Sequence, residues 1–224
     1  MIIAHRSHVD YPGRTSLVVA CPGCNMRCWY CHNKHLWSGD WDVEESLNII
    51  RGALRPIMSA ITITGGEPTL YGGKLIWLLQ DLRKLGLPIK LDTNGLNPET
   101  LMLILNDKLV DYVALDAKGS RRFYWEYAID DKGLSKRAYS HALYSAELIK
   151  GSGIDYEIRT TVDDTLAYGD YQVASYLRLI SGAKRLYLQN QRHMERNGRW
   201  IHARRTLNAV ADHVSRYVHH CEIR

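Results

Sequence analysis

The sequence of 224 residues contains no run approaching the roughly 18 consecutive apolar residues that a membrane span needs. Its opening residues, MIIAHRSHVDYPG, lack the long apolar stretch behind a basic one that marks a secretory signal. A cytoplasmic location, away from any membrane, is therefore expected. No linker rich in Pro, Gly or Ser interrupts the chain, and there is no low-complexity tract or close repeat. One domain over residues 1–224 is expected. Strong charge bias is also missing. Lys plus Arg is 29 and Asp plus Glu is 24, a net charge of +5. That balance permits an anionic partner, but without a basic stripe interleaved with aromatics it does not point to nucleic acid. Cysteine is scarce, with five in all.

What is present is concentrated. Four of the five cysteines, Cys21, Cys24, Cys28 and Cys31, fall within CPGCNMRCWYCH. In a reducing compartment such a cluster points to metal or redox chemistry rather than to disulfides. Zinc sites usually pair ligands a dozen or more residues apart, whereas here the two CxxC pairs are three residues apart. A thioredoxin-like site would use one CxxC and leave the other two cysteines unexplained. Iron–sulfur clusters do take close-set cysteines from one loop. The inner triplet, Cys24-x3-Cys28-x2-Cys31, could hold three irons of a 4Fe-4S cluster and leave the fourth open. Cys221 stands alone and reads as a bystander.

Along the chain, short β-rich runs alternate with helical stretches. Strands are expected at Thr15–Ala20, Ala60–Thr64, Ile89–Asp92, Tyr112–Asp116, Ile154–Thr161 and Arg185–Leu188. Helices are expected at Val43–Leu54 (N-cap Asp42), Lys74–Leu85 (ended by Gly86), Pro98–Leu105, Lys136–Lys150, Tyr171–Ile180 and Ile201–Val218. Six strand-plus-helix units are too few for an eight-fold barrel. The expected fold is α/β, a partial (βα)6 TIM-like barrel with a parallel sheet and the helices outside. Such folds place their sites at the C-terminal ends of the strands. The chemically loud residues collect there: the cysteines, GGEP (Gly65–Pro68), DTNG (Asp92–Gly95), Asp116 with Lys118, Arg159 and Gln189.

The triplet, with an aromatic residue before its last cysteine, resembles the signature of the radical S-adenosylmethionine (radical SAM) superfamily. GGEP resembles the superfamily's GGE motif. SHVDYPG (Ser7–Gly13), CNMRCWYCHN (Cys24–Asn33), LDTNG (Leu91–Gly95) and VALDAK (Val113–Lys118) resemble segments of glycyl-radical-enzyme activating proteins, and the likeness spans nearly the whole chain. The resemblance implies a 4Fe-4S cluster on Cys24, Cys28 and Cys31, whose open iron chelates S-adenosylmethionine (SAM) and whose electron cleaves it. It implies SAM contacts from Tyr30, His32, Gly65, Gly66, Glu67, Thr93, Lys118 and Arg159. Where one relative carries a histidine on the sixth strand, this chain has Gln189 or Asn190. Asp92 and Asp116 would hold a monovalent cation. By the same analogy Cys21 is not a ligand. The implied partners are a glycyl-radical enzyme, which loses a glycine hydrogen, and a flavodoxin- or ferredoxin-type electron donor.

Bland alternatives stand beside these readings. Asp92 and Asp116 could cap the following helices. Lys118 could be solvated, Arg159 could sit in an ion pair, and His32 and His35 could be exposed loop residues. RRFYWEYAIDDKG (Arg121–Gly133) reads as neither a strand nor a clean helix, and its Tyr124 and Trp125 are expected to help dock a protein substrate. Two other functions compete with the activase. One is a radical SAM enzyme acting on a small molecule such as a deazapurine precursor. The other is a non-catalytic metal-binding module that uses all four cysteines.

Overall fold

Six strands appear where the alternation predicts them, but the sheet that holds them has eight. The computed structural model describes residues 3–129, 133–162, 170–190, 195–196, 199–200 and 203–224. In chain order the elements are β1 (Ile3–Tyr11), β2 (Arg14–Cys21), α1 (Val43–Ala53), β3 (Ala60–Gly65), α2 (Gly73–Arg83), β4 (Ile89–Thr93), α3 (Pro98–Asn106) and β5 (Tyr112–Asp116). There follow α4 (Arg121–Tyr127), α5 (Leu134–Gly151), β6 (Asp155–Val162), α6 (Asp170–Ile180), β7 (Leu186–Asn190), β8 (Glu195–Arg196), β9 (Arg199–Trp200), α7 (Ala203–Val214) and β10 (Cys221–Ile223). The sheet order is β1-β2-β3-β4-β5-β6-β7-β10, while β8 and β9 form a separate two-stranded ribbon. From β2 to β10 every pairing is parallel, and β1 joins the β2 edge antiparallel. This is the open, partly wound barrel expected from six βα units. Among the described residues no helix is long and apolar enough to cross a membrane.

Local chemistry explains the element ends. The Asp42 carboxylate accepts a hydrogen bond from the Glu45 N–H (2.9 Å) and so caps α1. Pro98 opens α3, where its missing N–H costs nothing. Gly86 follows α2 with φ 68°, the left-handed turn at which glycine commonly ends a helix.

Five elements depart from expectation, the ribbon strands β8 and β9 among them. Arg121–Tyr127 is a helix. Phe123 and Tyr124 face inward and are buried, and the ring of Phe123 packs on Tyr127 one turn later (4.4 Å between centroids). Seven residues are too few for that periodicity to stand out against the aromatic composition. β1 and β10 were not anticipated. β1 carries few apolar residues because it is an edge strand, and β10 has only three residues.

The strands use their two faces in an unusual way. Outward residues such as Ile61, Ile63, Ile89, Leu91, Val113, Leu115, Tyr156 and Ile158 are buried against the helices. The inward residues of the central strands are polar or charged: Lys90 and Asp92 on β4, Asp116 on β5, Glu157 and Arg159 on β6. Apolar packing thus lies between sheet and helices, leaving the barrel interior to charge. On α5, Ala138, Ala142 and Ala146 are fully buried four residues apart, which lets that helix sit close to the sheet. Ala142→Leu is expected to lower stability by about 1–3 kcal/mol through overpacking, read as a lower urea midpoint with an unchanged denaturant slope.

Candidate functional site

At the C-terminal ends of the parallel strands lies a cavity of about 450 Å³. Cys24, Cys28 and Cys31 line it, with Tyr30, His32, Gly65, Gly66, Glu67, Asp92, Thr93, Asp116, Lys118 and Gln189. Strand-end residues from β3, β4, β5, β6 and β7 therefore converge on the loop that follows β2.

Cys21 is treated differently. It is the last residue of β2, fully buried, and not among the cavity-lining residues. The backbone around it is the start of a cradle. Gly66 N–H donates to the Cys21 carbonyl (2.8 Å), and Glu67 N–H donates to the Gly23 carbonyl (2.7 Å). A Cβ at Gly65 would overlap the Cys21 backbone, and one at Gly66 would overlap the Gly23 carbonyl. Gly65 also has φ +123°, a conformation that side chains disfavour. The two glycines are thus required by the close approach of the β3 loop to the cysteine loop.

The cysteine loop is tied down before any ligand is considered. The Arg27 guanidinium donates to the carbonyls of Cys24 and Met26 (2.9 Å each). The Cys24 N–H donates to the Trp37 carbonyl (3.2 Å). Helix α4 closes the other side: Arg27 N–H donates to the Tyr127 carbonyl (2.7 Å), and Ile129 N–H donates to the Asn25 carbonyl (2.9 Å). Burial pushes the Cys24 thiol up to about 12 and the Cys28 thiol up to about 11. Buried soft donors of this kind suit a thiophilic metal group, and binding it releases their protons.

Glu67 is fully buried, yet among the described residues it has no cation as hydrogen-bond partner. Its carboxylate accepts from Thr69 N–H (3.1 Å), the Thr69 hydroxyl, Thr93 Oγ1 (2.7 Å) and Asn94 N–H (2.7 Å). Burial raises its pKa, and those donors oppose the rise. The side chain is a strut joining the ends of β3 and β4. Asn94 continues the strut, donating through Nδ2 to Asn25 Oδ1 (2.8 Å).

At the strand-end wall of the cavity the inward charges pair. Asp116 and Arg159 stand opposite in the β5–β6 register and meet at 2.8 Å. Arg159 also reaches Asp92 (3.2 Å), which binds Lys90 (2.6 Å), and Lys118 binds Asp116 (2.9 Å). Burial alone would raise the Asp92 and Asp116 carboxyls, but Arg159 with Lys90 or Lys118 outweighs it and holds both below the usual range. Burial would likewise lower Lys118, and Asp116 with Cys28 raises it instead.

These distances bear on several expectations. Arg159 lies in an ion network and is not among the residues lining the cavity. Asp92 and Asp116 both line the cavity and are engaged by side-chain cations, and neither caps a helix. Lys118 is paired, not solvated. His32 and His35 are both exposed, and only His32 lines the cavity. Tyr30 is buried against Phe123 (5.6 Å between ring centroids) while lining the cavity. The docking role expected of Tyr124 is corrected: it is fully buried, and its hydroxyl accepts the Lys118 N–H (3.0 Å), whereas Trp125 is 56% exposed. The side chain of Asn190 and residues 191–193 lie outside what the structure describes. Sequence reasoning missed Asn94, Thr161, Trp37 and Arg224 as lining residues. Asn94 sits inside the quoted DTNG and could have been found. Arg224 has no local signal, because the three-residue β10 is what brings it there.

The fold and the cysteine-lined cavity agree with the family comparison. A model of the Radical SAM superfamily matches residues 18–170, more than half of the chain. The chain belongs to the Radical SAM superfamily. A Methanocaldococcus jannaschii protein provisionally named a glycyl-radical enzyme activating enzyme is 35% identical over 162 residues, covering 71% of this chain and 66% of that one. The 7-carboxy-7-deazaguanine synthase of Hyperthermus butylicus is 37% identical over 92 residues, covering 39% of this chain and 38% of that one. The chain thus spans about two thirds or less of the length of these curated relatives. A crystallised domain of a Bacteroides vulgatus pyruvate-formate lyase-activating enzyme shares the fold, with a TM-score of 0.53 at 14% identity over 74% of this chain and 99% of that domain.

Two outcomes are expected. Gly66→Ala forces the β3 loop away from Gly23, so equilibrium dialysis should show SAM binding to the iron-loaded protein weakened about tenfold or more. Asp116→Asn should cost roughly 3 kcal/mol at pH 7, because Lys118 loses its partner and Arg159 loses the nearer of its carboxylates while keeping Asp92. The folded Asp116 carboxyl titrates below its unfolded value of about 3.9, so its contribution is complete above that pH. The gap between wild type and variant in urea titrations should close as the pH falls below about 4.

Proposed function

We propose that the chain is a radical SAM activase that generates a glycyl radical on a partner enzyme. Cys24, Cys28 and Cys31 hold a 4Fe-4S cluster, and SAM binds in the cavity beside them. When bound, the cluster supplies one electron that cleaves SAM and yields the 5′-deoxyadenosyl radical that abstracts hydrogen.

The chain's own residues do the positioning. Gly65 and Gly66 bring the backbone close enough to meet the methionyl end of SAM. Thr93 and Glu67 sit on that wall, linked to each other at 2.7 Å. Lys118 offers a charge-assisted bond to the SAM carboxylate, and its ammonium is already aimed by Asp116. Tyr30 and His32 follow the ligand loop toward the adenine, and Gln189 closes the far side. Arg159 serves at one remove, by fixing Asp116. In this reading the inward carboxylates balance side-chain cations, and Asp92 and Asp116 keep cavity-facing positions at which a monovalent cation would bind.

The observation that carries the reading is the cavity itself, which takes in three cysteines and omits the fourth. A closed four-cysteine module would need Cys21, which is buried in the strand. For the activase over a small-molecule enzyme, the support is the longer match: 71% of the chain, against 39%, 50% and 54% for three 7-carboxy-7-deazaguanine synthases. Anaerobic reconstitution followed by reduction with SAM tests both levels. Cys24→Ala should abolish 5′-deoxyadenosine formation, while Cys21→Ala should retain at least half of it. With an anaerobic ribonucleotide reductase or a pyruvate formate-lyase added, the electron paramagnetic resonance doublet of a glycyl radical should appear. Turnover of a deazapurine precursor without any such doublet would replace the activase reading, and an equal need for all four cysteines would replace the radical reading.

A further inference from the structure

Between Pro22 and Gly39 there is no acidic residue, while Arg27, His32, Lys34 and His35 all fall there. His32 lines the cavity, and Arg27 and Lys34 approach a second lining residue, Trp37. Arg27 Cζ lies 5.1 Å, and Lys34 Nζ 5.7 Å, from the ring centroid of one indole, Trp37. His32, Asn33, Lys34 and His35 are exposed in succession, starting immediately after Cys31. Among the described residues, no ion pair involves Arg27 or Lys34. Other cations near the site are compensated, Lys118 by Asp116 and Arg159 by Asp116 and Asp92. Acidic residues resume at Asp40, but Asp40, Asp42 and Glu44 line a separate groove with Trp77.

Two cations over one indole, with no ion-pair partner among the described residues, leave this loop electropositive and favour an incoming anion. The site has no enclosing walls for a small anion. It is the exposed outer surface of a loop, which suits a second protein. We propose that this rim, from Arg27 to Trp37, is the docking surface for a small acidic electron-carrier protein. The proposal rests on the reading that Cys24, Cys28 and Cys31 hold the cluster. A hydrogen donor must enter the cavity, where SAM lies. An electron donor needs only close approach to the cysteine loop, and the rim is that loop's outer side. Docking there places the carrier's redox centre beside Cys28 and Cys31. The carrier's reduced centre gives up one electron, and the cluster-loaded chain gains it. Trp37 lines the cavity from within while carrying both cations outside, so the surface and the site share one side chain.

The test compares Lys34→Glu with Lys84→Glu, which makes the same change in net charge on an exposed lysine just after α2. Reduction of the loaded protein by flavodoxin hydroquinone is followed by stopped flow at about 10 mM ionic strength, where the Debye length is about 30 Å. Affinity for oxidised flavodoxin is measured in parallel by calorimetry. Lys34→Glu should slow reduction by flavodoxin about tenfold and flatten its salt dependence, with weaker binding to match. Lys84→Glu should change both far less. Reduction by photoreduced deazaflavin, a small neutral donor, should be the same in all three proteins, which shows that the cluster loop is intact. Wild-type kinetics and affinity in Lys34→Glu would overturn the docking surface, as would equal losses in both variants. The underlying reading fails differently, by an absence of 5′-deoxyadenosine under photoreduction in the wild type.

Discussion

Arg159 holds the site end of the barrel together. Its guanidinium bridges Asp116 on the neighbouring strand and Asp92 one strand further on, so three parallel strands are joined at one level. The parallel register makes this possible, because Asp116 and Arg159 are direct partners across β5 and β6. Lys90 and Lys118 complete the pairing at the two carboxylates. A buried charge without a partner costs several kcal/mol, so each of these residues depends on the others. The apolar layer between sheet and helices holds the strands in place, and the ion network decides how their ends are presented.

Above the network, two polar struts convert strand order into site geometry. Glu67 draws the ends of β3 and β4 together through neutral donors alone. Tyr124 and the end of α4 connect the Lys118 segment to the cysteine loop. Loop, glycines and lysine are consequently parts of one connected framework. That framework is pre-organised, so ligand binding need not supply the cost of ordering it.

Charge has an inside and an outside in this protein. Inside, positive and negative groups are matched closely, as a low-dielectric interior demands. Outside, on the cysteine loop, cations collect without carboxylates. The matched interior suits a ligand that carries charges of both signs, because lysine and carboxylate both line the cavity. The unmatched rim suits a partner that brings its own negative charge. Both surfaces meet at the cysteine loop of a Radical SAM superfamily chain.

The alternation of strand and helix, the helix caps at Asp42 and Pro98, and the clustering of cysteines and glycines at strand ends were all legible in the chain, because each depends on neighbours within a few residues. So was the position of Gly65 and Gly66, since two glycines just after a strand mark close backbone approach. What the sequence by itself determined was therefore the unit fold and the residues that a strand end can offer. It could not show which of those residues reach the cavity. Arg159 looks like a ligand contact from its position, yet register pairs it with Asp116 and it does not line the cavity. Tyr124 looks like a surface aromatic, yet helical phase turns it inward. β10 and Arg224 join the site through a pairing with β7 across more than thirty residues of chain. Only the tertiary structure decided these, because side-chain partners are chosen by strand register and packing between segments that are distant in sequence.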